Sequence, residues 1–127
     1  MLRDNVQRDL LYIESMLDNA LSIEEDIKRF AKLGIPAEDE SVLKLVSFSL
    51  SQIGEQVARG KLSEELQEKY SYLEWSKING LRNFIVHDYS KIVPSRIIAT
   101  VKNQIPNLIE ELFKIREDLK REIDNEY

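Results

Sequence analysis

From Asp4 to about Lys32, the apolar residues Val6, Leu10, Ile13, Leu17, Ala20 or Leu21, Ile27 and Phe30 recur at three- and four-residue intervals. That period marks one face of an α-helix. Asp4 with Gln7 three residues on resembles a capping box, and Gly34 followed by Pro36 is a stop signal. The stretch therefore reads as one long amphipathic helix or two collinear ones. A second helix is predicted from Asp39 or Ser41 to Arg59, closed by Gly60, with Val42, Leu45, Val46, Phe48, Ser49, Ile53, Gln56 and Val57 on its inner face. Gly54 in its middle costs about 1 kcal/mol relative to Ala, which points to close approach by a neighbouring helix. Gly80 is expected to serve the same purpose.

Ser63 is suited to cap a short helix over 64–70, and Tyr70, Tyr72 and Trp75 are expected to plug the end of the fold, base stacking being the alternative. Ile78, Leu81, Phe84, Ile85 and Val86 follow at helical spacing, in a helix expected to end near His87. Pro94 fits the first position of a last helix reaching about Ile123, and Pro106 should kink or interrupt it. No strand-like alternation or repeat occurs. The pattern predicts an all-α fold, an antiparallel bundle of four to five helices in a single domain spanning 1–127.

Composition narrows the chemistry. Among 127 residues there is no Cys and one His, so thiolate metal sites are excluded and a zinc or di-iron cluster is not expected. No metal or other cofactor is expected. There is no secretory n-region and no apolar run near the ~20 residues that span a bilayer, so the expectation is a cytoplasmic protein with no membrane association. The net charge of −5 argues against wrapping a nucleic-acid backbone. The charge is uneven, however. Between Ser76 and Ile109, five basic residues (Lys77, Arg82, Lys91, Arg96, Lys102) face Asp88 alone, a local +4 that leaves −9 for the remainder. An acidic protein can carry one basic site, although solvated helix faces would also account for Lys77 and Lys102.

The chemistry-bearing stretch is Trp75–Tyr89, WSKINGLRNFIVHDY, which holds the only Trp and the only His. Asn83 and His87 are four apart and share a helix face, whereas Arg82 and His87 are five apart and diverge by roughly 140°. Arg82 must reach around or the helix must end. Arginine offers a planar charged fork for phosphate oxygens and histidine a proton-transfer group near neutrality, a pairing suited to phosphodiester chemistry. Other readings of the same residues stay open. A lone His can cap or hydrogen-bond a helix end, and Arg82 can be an ion-pair partner of Glu55 or Asp88.

Arg82-x4-His87-x-Tyr89 resembles the Arg-x4-His-x-Tyr signature of the HEPN superfamily, specifically its HepT-like toxins. Ile53-Gly54-Glu55 and Trp75-x2-Ile78-x-Gly80-Leu81-Arg82-Asn83 are similar to the family's neighbouring strings. The resemblance covers nearly the whole chain and implies a HEPN-like bundle acting as a metal-independent endoribonuclease of a toxin–antitoxin pair, with a composite site at a homodimer interface. It assigns His87 as general acid or base, Arg82 as the charge stabiliser, and Asn83 as the group positioning phosphate or imidazole. Lys77 and Lys91 would hold the RNA loosely, and Glu55 would support the site. Asp88, where relatives often have a small or polar residue, could raise the His87 pKa or repel phosphate. The resemblance also implies a minimal nucleotidyltransferase antitoxin that neutralises the enzyme by adenylylating Tyr89. The competing reading is a non-catalytic nucleotide-binding or docking subunit of such a nucleotidyltransferase.

Overall fold

The computed structural model describes residues 2–84 and 93–125, and among them all the regular structure is helical, with no strand. The amphipathic N-terminal stretch forms one helix, α1 (Leu2–Lys32), rather than two. It already runs from Leu2, so Asp4 lies inside its first turn and does not precede it as a cap. Its end is the expected one. Gly34 takes φ +78°, its N–H donates to the Ala31 carbonyl at 3.0 Å, and the Ile35 N–H donates to the Phe30 carbonyl at 2.9 Å. This paired closure satisfies carbonyls that a helix end leaves open, and only glycine takes that φ without strain.

The second helix, α2 (Glu40–Val57), starts from Asp39, whose carboxylate accepts the Ser41 N–H at 2.9 Å. It stops two residues short of the expected Arg59, because Ala58 turns extended while Arg59 (φ 56°) and Gly60 (φ 73°) reverse the chain. A short helix, α3 (Glu64–Lys69), is capped by Ser63 as the sequence suggests. What the sequence did not signal is Asp9 of α1. Its buried carboxylate accepts both the Ser63 N–H, at 2.8 Å, and the Ser63 hydroxyl, at 2.6 Å, tying the cap to the first helix.

Next come α4 (Trp75–Gly80), continued by a 3-10 turn over Leu81–Phe84, then α5 (Pro94–Asn103) and α6 (Ile105–Asn125). Pro94 does open α5, and the last helix is broken at Gln104, two residues before Pro106. Pro106 has no N–H to offer the Lys102 carbonyl and its ring crowds that carbonyl, which accounts for a break within the turn ahead of it. The bundle is thus built on α1, α2 and the split pair α5–α6, with α3 and α4 as short struts. Among the described residues no helix is long and apolar enough to cross a membrane.

The core lies where α1 meets α2 and α6. Ile13, Met16, Leu17, Ala20 and Ile23 of α1 interlock with Val42, Val46, Leu50 and Ile53 of α2 and with Ile105, Leu112 and Ile115 of α6. α2 is central, flanked by α1 on one side and by α4 and the 81–84 turn on the other. Two inner-face assignments are corrected. Leu45 and Phe48 are 41% and 56% exposed, because the true inner arc runs through Val42, Val46, Leu50, Ile53 and Val57. At about 100° per residue, Leu45 and Phe48 fall well to one side of that arc.

The aromatic plug also holds only in part. Tyr70 is buried and donates to Asp118 at 2.8 Å, and the half-buried Trp75 donates from Nε1 to the Tyr70 carbonyl at 3.1 Å. Tyr72, by contrast, stands 63% exposed.

Candidate functional site

The site is organised by the contact between Gly54 and the segment that carries Arg82. Ile78 and Leu81 are buried and pull that segment onto α2. At Gly54 the two backbones come so close that an added Cβ would lie 2.6 Å from the Arg82 amide nitrogen, 2.9 Å from its Cγ and 3.0 Å from the Asn79 carbonyl oxygen. The mid-helix glycine is therefore explained by close approach, as expected. Gly80 is not, since a Cβ there would meet nothing within 4 Å.

Close packing coincides with a change of winding. The Leu81 N–H reaches the Ile78 carbonyl, and Leu81–Phe84 continues as a 3-10 turn. The α-helix expected to run on towards His87 therefore ends at Gly80. A 3-10 turn advances about 120° per residue, so the facing relations drawn from ideal α-helical spacing do not carry across Arg82 and Asn83.

With its backbone fixed on Gly54, Arg82 meets the neighbouring carboxylate of α2. Its Nε–H donates to Glu55 Oε2 at 3.1 Å, with the two side chains 34% and 30% exposed. An ion pair this open to solvent contributes at most about 1 kcal/mol to stability, so its main effect is geometric. It fixes one edge of the guanidinium and leaves both Nη amino groups without a partner among the described residues. That free edge is the part able to grip two phosphate oxygens. Glu55, the carboxylate that the sequence singled out, thus pairs with Arg82, one of the two ion-pair partners expected for it.

Asn83 follows Arg82 on the same turn and is exposed. Lys77 is not brought to Arg82. It sits five residues earlier on α4, exposed, and pairs with Glu74 at 3.0 Å. His87, Asp88, Tyr89 and Lys91 lie outside the described residues.

One cation missing from the expected site residues belongs beside it. The Arg96 guanidinium of α5 lies over the Phe84 ring at 5.9 Å, placing a second exposed arginine next to the Arg82 turn. Its signal was the local excess of positive charge between Ser76 and Ile109, which counted Arg96 without locating it. A further feature follows from the α2 surface. Leu45, Phe48, Gln52 and Glu55 fall within about 80° of one another around the helix. Two exposed apolar side chains, Leu45 and Phe48, therefore share the face of α2 that leads through Gln52 to the Glu55–Arg82 pair.

Known proteins resemble this chain over most of its length. A family model described as "Ribonuclease HepT-like" matches residues 3–115. Two proteins of Methanocaldococcus jannaschii are similar along most of their length. "Putative RNase MJ0125" is 29% identical, covering 85% of this chain and 94% of its own. "Putative RNase MJ1216" is 26% identical, over 89% and 94%. "Putative RNase TTE0752" of Caldanaerobacter subterraneus subsp. tengcongensis is 32% identical, over 82% and 90%. No solved structure matches the chain.

Proposed function

The chain belongs to the HepT-like ribonuclease family, and from that premise we propose that it is an endoribonuclease that cuts RNA without metal, using Arg82, Asn83 and His87. The RNA 2′-oxygen attacks the adjacent phosphorus as its proton passes to a base. The bond to the 5′-oxygen breaks, and that oxygen takes a proton from an acid, leaving a 2′,3′-cyclic phosphate and a 5′-hydroxyl. His87 is the proton-transfer group, Arg82 stabilises the extra negative charge on the pentavalent phosphorane, and Asn83 positions phosphate or imidazole. Arg96 supplies a further backbone contact, with Lys77 and Lys91 holding the strand more loosely. The observation that carries this reading is the Arg82 guanidinium, held by Glu55 and by the Gly54 contact, with its Nη edge unpartnered among the described residues.

Two proton transfers ask for two groups, and the chain has one His. The proposed enzyme is accordingly a homodimer in which a second copy completes the site. The exposed Leu45 and Phe48 on the face leading to Glu55 support this, since apolar side chains beside a half-built site are suited to burial against its own copy. The toxin role belongs to the same reading. A minimal nucleotidyltransferase would act as antitoxin by adenylylating Tyr89, adding bulk and negative charge two residues from His87, with Asp88 between them moderating activity.

The test is incubation of the purified protein with total RNA in EDTA, beside Arg82→Ala. Cleavage that is lost in the variant supports the enzyme. Tight nucleotide binding by a protein that leaves RNA intact would instead support a non-catalytic docking subunit.

A further inference from the structure

Away from Arg82, a cleft of about 160 Å³ opens between α4 and the break separating α5 from α6, lined by Tyr72, Lys77, Asn103, Gln104, Asn107 and the floor residue Leu108. It is smaller than the ~300–1,000 Å³ that houses a drug-sized ligand, a size suited to one planar ring system. Its composition is specific. Asn103, Gln104 and Asn107 are exposed amides with no side-chain hydrogen bond among the described residues. Three primary amides therefore present spare donors and acceptors at one place. The α-helix breaks at Gln104, which is why amides from both helices can meet there.

Tyr72 adds a stacking surface. Its ring is exposed yet held, because its hydroxyl donates to Glu111 at 2.7 Å and its edge meets Tyr70 at a centroid distance of 6.4 Å. The bond to Glu111, followed by partial burial, pushes the phenol above its usual pKa and keeps it a donor. An aromatic face that is open and already fixed loses little freedom when a base stacks on it. Lys77, at the cleft margin and paired there with the lining carboxylate of Glu74 at 3.0 Å, is an exposed cation that an adjoining phosphate can draw from that exposed pair.

The cleft also lies on the path of the proposed substrate. Lys77 precedes Arg82 by five residues, and Asn103 follows Arg96 by seven on α5. At about 1.5 Å per residue both routes place the cleft on the order of 10 Å from the arginine pair, a nucleotide or two along a strand. We infer that this cleft is a base-recognition subsite that takes one unpaired nucleobase of the RNA, stacked on Tyr72 and read by Asn103, Gln104 and Asn107. Adenine is the expected base, since side-chain amides pair in bidentate fashion with its N6 and N7. The inference rests on the ribonuclease reading for its ligand and adds the source of sequence preference.

The test uses the full chain and fluorescein-labelled 2′-O-methyl RNA octamers of A, U or C, which lack the nucleophilic hydroxyl and cannot be cut. Fluorescence anisotropy should show the A octamer bound at least about five-fold tighter than the U or C octamers. Tyr72→Ala should weaken binding of the A octamer about ten-fold, in the range of one lost stacking contact, while Tyr72→Phe, which keeps the ring and loses only its tie to Glu111, should weaken it by no more than about three-fold. The double variant Asn103→Ala/Asn107→Ala should erase the difference between bases, leaving U and C binding within two-fold, whereas Arg82→Ala should weaken all three octamers alike. Equal binding of the three octamers by the wild type overturns the subsite, as does a uniform loss in the amide variant. Parallel cleavage of unmodified RNA separates the two claims: cutting without base preference sinks the subsite alone, and failure to bind or cut any RNA sinks both.

Discussion

Replacing Gly54 with alanine places a methyl carbon 2.6 Å from the Arg82 amide nitrogen, where the obstacle is backbone and cannot rotate away. Restoring an ordinary contact of about 3.4 Å requires the 81–84 turn to retreat by roughly 0.8 Å. Overpacking of this kind costs about 1–3 kcal/mol, and the better helix propensity of alanine returns about 1 kcal/mol. The net loss should not exceed about 2 kcal/mol, which for 127 residues lowers Tm by about 7 °C at most. The effect on cleavage should be much larger, because a catalytic group misplaced by about 1 Å loses on the order of 100-fold in rate. Thermal unfolding followed by circular dichroism, with single-turnover RNA cleavage at 25 °C, measures both. Gly80→Ala is the matched control. Nothing lies within 4 Å of its added Cβ, so it should cut RNA at the wild-type rate. A Gly54→Ala protein that cleaves within two-fold of wild type would refute the argument that the glycine sets the position of Arg82.

Three further outcomes follow from contacts outside the Arg82 turn. Asp9→Ala leaves the Ser63 amide and hydroxyl without their buried acceptor and should cost about 2–3 kcal/mol, read as a lower urea midpoint with an unchanged slope. Phe48→Glu puts a charge on that exposed face of α2; sedimentation should show a monomer, and cleavage should fall at least ten-fold while Tm stays within a few degrees. Burial, then the Asp118 hydrogen bond, raises the Tyr70 pKa well above 10.0. Its unfolded phenol ionises first, so the stability it contributes is full below pH 10 and is lost as pH climbs towards the folded value. Tyr70→Phe should therefore lower stability by about 1.5 kcal/mol at pH 7, with the gap to wild type narrowing in alkaline denaturation above pH 10.

The helices were legible because their punctuation is local. Gly34, Asp39, Ser63, Pro94 and Pro106 each act within a few residues, and each marks a boundary in the structure. Gly54 was legible for the opposite reason, as a residue with no local justification. Facing relations between helices were harder to read. Leu45 and Phe48 have the hydrophobicity of core residues, and only the placement of α1 and α4 around α2 shows that they face outward. Asp9 pairs with Ser63 across 54 residues, a distance at which periodicity carries no information. In the candidate site, Arg82 and Glu55 could be named from motif strings. Their bond, and the place of Arg96 over Phe84, depend on how α2 and α5 pack around one short turn.

The central claim is that this chain cuts RNA through the RNA's own 2′-hydroxyl, with Arg82 and His87 supplying the catalysis. Its most direct test is mass analysis of the ends released from a short RNA in EDTA by wild type and by His87→Ala, with a second substrate carrying a single 2′-deoxy nucleotide at the cleaved position. The account predicts 2′,3′-cyclic phosphate and 5′-hydroxyl ends from the wild type, no product from the variant, and no cut at the deoxy position. Cutting that persists at the deoxy position, or an undiminished rate in His87→Ala, would contradict it.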